Sequence, residues 1–278
     1  MQPIFLHFWG LTIRWYGVMM ASGFVSALVL WTWIGRKSGR DMNYASDLLL
    51  WLIVPGIIGA RLAFVIANFK DFMAKPELIL RIDLGGLIFY GGLLGGIVGL
   101  YLFARKKRES FSDVADFTVV AVPLAHALGR AGCFLNGCCY GKIWHGPLAV
   151  RYPCPHNGHP GGLAWFDHVR AGLITSYDSY SLPVHPVQLY ESAANFLLFL
   201  ILLYSYHRRK FTGEITALYL LLYPSARFVL EFFRGDERMK FFSLSVAQWL
   251  SCVLFLSGLV LMLVLKTKYG QNRTSSTR

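Results

Sequence analysis

Stretches of about 20 residues without a charge recur along this chain, the length at which a helix spans a bilayer. They are WYGVMMASGFVSALVLWTWI (15–34), LGGLIFYGGLLGGIVGLYLFA (84–104) and FFSLSVAQWLSCVLFLSGLVLMLVL (241–265). Four more apolar runs carry one or two polar interruptions: 48–69 around Arg61, 114–133 with Asp116, 186–206 with Glu191, and 213–233 with Arg227 and Glu231. The pattern predicts an all-α membrane protein of seven transmembrane helices, one integral membrane domain over 1–278. The first run has no basic segment ahead of it and is longer than the apolar core of a cleaved signal, about 7–15 residues, so it is expected to remain as a span.

The basic residues between runs give an orientation. GRKSGR (35–40), RKKR (105–108) and HRRK (207–210) are concentrated basic loops, and the tail from Lys266 adds more cations. The alternate loops are balanced or poor in charge: Lys70, Lys75 and Arg81 are matched by Asp71, Glu77 and Asp83, and 135–185 holds only Lys142, Arg151 and Arg170. The N-terminus is therefore expected outside and the C-terminus in the cytoplasm. Residues 135–185, rich in Pro, Gly and aromatics, form an external head between spans four and five.

Composition agrees. Hydrophobic residues make up 55% of the chain and charged ones 15%, with mean hydropathy +0.47, too apolar for an ordinary soluble domain. The net charge of +12 follows from the cytoplasmic loops and from attraction to anionic lipid. It does not call for nucleic acid.

With orientation fixed, the polar interruptions collect in one leaflet. Tyr16 opens span one, Tyr90 lies in the outer part of span three, and Arg130 and Asn136 stand where span four emerges. His185, Gln188 and Glu191 open span five. Tyr223, Arg227, Glu231 and Arg234 run along the outer half of span six at i, i+4, i+8 and i+11, one helical stripe. A cation inside a span costs about 2.5–3.5 kcal/mol on insertion scales, so it faces the bundle interior with a partner or ligand. An i,i+4 pair contributes only about 0.2–0.5 kcal/mol, too little to offset burying Arg227 and Glu231 for structure alone. Arg130 by itself reads as an arginine snorkelling to headgroups. Beside Arg227 and Arg234 it reads as part of an anion site, since guanidinium forks match phosphate bidentately. Gly91, Gly95 and Gly99, with Gly92 and Gly96, form a ridge suited to close helix packing.

The motifs RWYGVMM (14–20), GIIGARLAFV (56–65), GGLIFYGGLLGG (85–96), ALGRAGCFLNGCCYG (127–141), HPVQLYES (185–192) and RFVLEFFRGD (227–236) together resemble the bacterial prolipoprotein diacylglyceryl transferase family. The resemblance implies transfer of the diacylglyceryl unit of phosphatidylglycerol to the lipobox cysteine of a preprolipoprotein signal peptide, with release of glycerol phosphate. It also implies a bacterial inner-membrane location and a site facing the outer leaflet, and it calls for no cofactor. The candidate catalytic residues are Arg130, Arg227, Glu231, Tyr223 and Tyr90. Arg130 leads the candidate phosphatidylglycerol-binding residues, with Tyr16, Arg61, Asn136, Gly137, His185, Gln188, Tyr190, Glu191 and Arg234.

Two departures bear on the chemistry. Many members of that family have His where this chain has Tyr90, and Asn and Glu where it has Cys133 and Cys138. A related transferase with another acceptor, or a non-catalytic lipid-binding or thiol- or metal-sensing protein, are the alternatives. No metal is assigned. Cys133, Cys138 and Cys139 are expected as packed thiols. Pairing of Cys154 with Cys138 or Cys139, and a zinc site completed by His156 or His159, are weighed beside that, although the spacing fits no standard zinc pattern.

Overall fold

The computed structural model describes residues 4–8, 11–81, 86–155, 161–236 and 238–275. Helices occupy every run that the apolar pattern marks. In chain order they are α1 (Trp15–Lys37), α2 (Tyr44–Ala67), the short α3 (Phe69–Ala74), α4 (Phe89–Lys107), α5 (Phe111–Val119), α6 (Val122–Asn136), α7 (Leu163–Arg170), α8 (Val187–Tyr206), α9 (Glu214–Glu231) and α10 (Val246–Ser275). Among the described residues, five segments are long and apolar enough to cross a membrane: Trp15–Lys37, Tyr44–Ala67, Phe111–Asn136, Val187–Tyr206 and Val246–Tyr269. The other two long helices are less apolar. α4 ends in Arg105, Lys106 and Lys107, and α9 carries Glu214, Arg227 and Glu231. Val29, Ile58, Leu94, Leu197 and Val260 are all exposed, an apolar surface that suits lipid rather than water. The chain is a multi-pass helical membrane protein.

Two details depart from the sequence pattern. The run at 114–133 is two helices, α5 and α6, with the break just ahead of Pro123 near the start of α6. Proline favours a first helical turn, where its missing N–H is not needed. The all-α expectation also needs two small hairpins added. β1 (Ile4–Phe8) pairs antiparallel with β2 (Leu11–Arg14), and β3 (Lys240–Phe241) with β4 (Leu244–Ser245). Segments this short leave no apolar run to detect.

The chain divides into two compact units, Leu28–Thr118 and Met1–Ala27 with Val119–Arg278. In the first unit, Tyr44 meets the rings of Phe103 and Phe117 edge-on at 5.0 and 5.4 Å. Arg40 bridges Glu109 and Asp113 at 2.8 and 2.6 Å. Here α2 and α4 pack backbone to backbone. A Cβ on Gly95 would lie 2.1 Å from the Pro55 carbonyl oxygen, and one on Gly99 only 1.9 Å from that of Trp51. Trp51 is four residues before Pro55, whose missing N–H leaves the Trp51 carbonyl without its helical donor. The glycine ridge expected on α4 thus packs where proline has opened α2.

The second unit repeats the device. Pro224 lies inside α9 and frees the carbonyl of Leu220, and Gly258 of α10 lies against it, with an added Cβ 2.8–3.1 Å from Leu220 atoms. The head between α6 and α8 has its own core of Tyr140, Tyr152, Ala164 and Val184, with Val150 packed on it. Substituting Gly99 or Gly258 with Val should destabilise by about 1–3 kcal/mol, the usual overpacking range, read as a lower unfolding temperature in detergent. An unchanged transition in both would contradict this packing account.

Candidate active site

Four segments of the second unit deliver charged side chains to one place. Arg130 comes from the second half of α6, Glu191 from the second turn of α8, and Arg227 and Glu231 from the end of α9. Arg234 follows α9 and is fixed by the head. Gly141 bridges Arg234, Lys142 N–H donates to Phe233 O at 2.8 Å, and Gly235 N–H to Tyr140 O at 3.1 Å. Gly141 also bonds His185 O at 3.1 Å. A Cβ there would meet His185 and Val187 at 2.6 Å, so only glycine lets the three backbones approach.

At the centre is Glu191, 1% exposed. Its carboxylate pairs with the Nε of Arg130, with Arg227 Nη1 at 3.2 Å and with Arg234 Nη1 at 3.6 Å. Arg227 also binds Glu231 at 2.7 Å, the i,i+4 pair, and Ser245 Oγ donates to the other oxygen of Glu231 at 2.7 Å. Arg234 makes a fork–fork pair with Asp236 at 2.9 and 2.7 Å. Burial pushes the Asp236 carboxyl up, but Arg234 and Arg238 together hold it below the usual carboxylate range. Arg238 stands at the rim, 3.8 Å from Glu231.

Charge, rather than directional bonding, holds the centre. Both Glu191 oxygens, Glu231 Oε2, Arg227 Nη1 and Arg234 Nη1 are buried with no aligned hydrogen bond. Guanidinium offers five donors and accepts nothing, so these arginines retain N–H groups for an anionic ligand. A small cleft opens beside them, lined by His126, Glu191, Asn195, Tyr223, Arg227 and Leu230 among others.

A family profile described as prolipoprotein diacylglyceryl transferase matches residues 3–264. The chain belongs to that family. The chain is 31% identical over 260 residues to the phosphatidylglycerol–prolipoprotein diacylglyceryl transferase of Clostridium tetani, covering 93% of this chain and 96% of the relative. It is 35% identical over 271 residues to that of Idiomarina loihiensis, with 94% and 92% covered.

Within this transferase-family chain the expected residues fall into groups. Arg130, Glu191, Tyr223, Arg227, Glu231 and Arg234 lie in or beside the charged centre. Tyr16 packs on α6 at Gly132, where an added Cβ would lie 3.4 Å from its Cα. Asn136 ends α6, and Gly137 caps it with φ 72°. Gln188 is committed to the head, donating to Cys138 O at 2.6 Å and to the Tyr152 hydroxyl at 2.8 Å. His185 stacks on Trp144 at 4.3 Å and contacts the Tyr190 hydroxyl at 3.3 Å, and burial lowers its pKa. Arg61 and Tyr90 belong to the other unit. Arg61 donates to the carbonyls of Leu78, Ile79, Arg81 and Gly86 at 2.5–3.1 Å. Tyr90, in the first turn of α4, is 47% exposed.

Sequence reasoning missed His126, Asn195 and Ser245. His126 accepts from Arg130 Nε at 3.2 Å and lies 5.5 Å from the Tyr223 ring. Its i,i+4 spacing from Arg130 was the available signal. Ser245 precedes a helix and gave none. All five cysteines are free, so Cys154 is paired with neither Cys138 nor Cys139. His156 and His159 lie outside the described residues. The Sγ atoms of Cys133, Cys138 and Cys139 lie within 4.8 Å of one another.

Glu191→Gln should destabilise strongly, because removing one partner of a buried pair leaves uncompensated charge and typically costs about 3–5 kcal/mol. Thermal unfolding in detergent measures it. An unfolding temperature equal to that of the wild type would show that the three guanidiniums do not depend on Glu191.

Proposed function

We propose that the chain is a phosphatidylglycerol–prolipoprotein diacylglyceryl transferase. It moves the diacylglyceryl unit of phosphatidylglycerol onto the lipobox cysteine thiol of a preprolipoprotein signal peptide and releases glycerol phosphate. The observation that carries this reading is the convergence of Arg130, Arg227 and Arg234 on Glu191 with buried donors left unaligned. In the reaction a thiolate attacks glycerol C3, the C3–O bond breaks, and negative charge gathers on the departing phosphate monoester. Buried guanidiniums aimed at that charge stabilise the transition state. Arg227 and Arg234 each keep a buried Nη1 without an aligned acceptor, and a phosphate can take up these donors while the ion pairs to Glu191 stay in place. The thiol proton needs a sink, and Glu231 or the lipid phosphate is within the same group of charges. Tyr90 is a hydrogen-bond donor in this reading and not the base.

The site is expected in the outer leaflet of a bacterial inner membrane. There α4 and α9 complete seven spans of one membrane domain over 1–278, with 135–185 as the external head. Basic loops at 35–40, 105–108 and 207–210 support that orientation. A reporter fused after Lys107 or Lys210 should be cytoplasmic and one at Tyr177, which is 95% exposed, external. An external reporter at Lys107 would overturn the placement.

The function is tested with phosphatidylglycerol vesicles and a lipobox peptide. Glycerol phosphate release that requires the peptide thiol supports the transferase; release without peptide contradicts it. Arg130→Ala and Arg227→Ala should each lower turnover by about 100- to 1,000-fold, the loss typical of one oxyanion-stabilising donor, while the protein still inserts. Arg130→Lys should fail too, because an ammonium does not reproduce the planar fork. Tyr90→Phe should leave measurable turnover with little change in pH profile; complete loss with normal lipid binding would make Tyr90 the base.

A further inference from the structure

The three thiols beside the charged centre are brought together by an unusual turn. α6 ends at Asn136, Gly137 takes the left-handed conformation, and Cys138 N–H returns to Cys133 O at 3.2 Å. Cys139 is left-handed as well, at φ 63°. For a residue with a Cβ that conformation is disfavoured, and such strain persists only where the surroundings impose it. Its effect is to fold residues 138 and 139 back over the last turn of α6, so that all three Sγ atoms lie within 4.8 Å of one another. Plain packing of small apolar side chains needs no such convergence. Cys133 is buried, while Cys138 and Cys139 are only partly covered, which leaves one side of the cluster approachable.

We propose that Cys133, Cys138 and Cys139 bind one thiophilic divalent cation, zinc in kind, and leave its fourth coordination position for the acceptor thiol. The role given to that position rests on the transferase reading; the metal site itself does not. Tetrahedral zinc with sulfur ligands at about 2.3 Å sets those sulfurs about 3.8 Å apart, so the thiols need close by roughly an ångström at most. Zinc held by three protein ligands characteristically keeps an open position. Three thiolates on a dication carry one net negative charge, and Arg234, whose guanidinium interacts electrostatically with Cys139, is placed to balance it.

The chemistry answers a need of the reaction. Alkylation of a thiol requires the thiolate, and a thiol bound to zinc is deprotonated outright. The peptide thiol takes the fourth position and gives its proton to Glu231 or to the lipid phosphate. Its sulfur then forms the bond to glycerol C3 as the C3–O bond breaks. The electron pair leaves on the phosphate oxygen, and the resulting thioether, a weaker ligand, departs. The ion does not change oxidation state.

The test uses the full chain, reduced and in detergent, with Co²⁺ as the probe. One equivalent should give a sulfur-to-cobalt charge-transfer band and the intense visible bands of tetrahedral cobalt. Cys133→Ser, Cys138→Ser and Cys139→Ser should each weaken binding more than tenfold, and Cys252→Ser should not. A lipobox peptide should then shift the visible bands, whereas the same peptide with serine in place of its cysteine should not. Absence of the bands in reduced wild type, their survival in the triple serine variant, or no response to the peptide thiol would each overturn the proposal. The two readings separate cleanly. Full peptide-dependent turnover by metal-free protein would sink the metal proposal and leave the transferase standing. Cobalt binding and a peptide shift without glycerol phosphate release would sink the transferase and leave the thiol site.

Discussion

A carboxylate that is almost fully buried and shared by three guanidiniums sets the terms for the rest of this molecule. Glu191 brings Arg130, Arg227 and Arg234 to one point, and each arrives from a different stretch of chain. An isolated charge in such surroundings would neutralise or drag water in. Here each charge is tolerated because the others are present, and Glu231 and Asp236 complete the balance. The arrangement demands a rigid frame, since a shift of an ångström in any contributing segment would strand a buried charge.

Much of that frame is backbone packed on backbone. The head does not sit apart from the site: its residues Gly141 and Lys142 run between residue 185 and residues 233–235 and set Arg234 in place. Gln188 ties the head to the start of α8 through Cys138 and Tyr152. In each unit an internal proline frees a carbonyl and a glycine of the neighbouring helix packs against it, Trp51 with Gly99 and Leu220 with Gly258. Proline weakens one helix locally, and the close approach it permits turns that weakness into an interhelical contact.

The seven apolar runs were legible because span length and the absence of charge are strong one-dimensional signals. The positions 223, 227 and 231 were legible from helical period, whereas Arg234, expected on the same stripe, lies past the end of α9, where a bridge to Gly141 of the head places it. Other features depend on contacts distant in sequence. Ser245 reaches Glu231 across a hairpin of two-residue strands, and Asn195 became part of the cleft only once α8 lay beside α9. The break between α5 and α6 was marked by Pro123, a signal that an uninterrupted apolar run outweighed. Cys133, Cys138 and Cys139 were expected as packed thiols, and their close approach comes from left-handed residues at Gly137 and Cys139, which no spacing rule anticipates. Arg61 was marked by its residue type as a ligand-site candidate, and its guanidinium donates to the carbonyls of Leu78, Ile79, Arg81 and Gly86, contacts that no local pattern announces.

The central claim is that the arginine cluster receives a departing phosphate monoester during alkylation of a thiol at carbon. It is tested most directly by following the bridging oxygen. Phosphatidylglycerol labelled with ¹⁸O between the diacylglycerol C3 and phosphorus is turned over with a lipobox peptide, and both products are weighed by mass spectrometry. The account predicts that the label leaves entirely in glycerol phosphate and that the peptide gains a diacylglyceryl thioether without it. Label retained on the diacylglycerol fragment would mean cleavage at phosphorus, and the account of the site would be wrong.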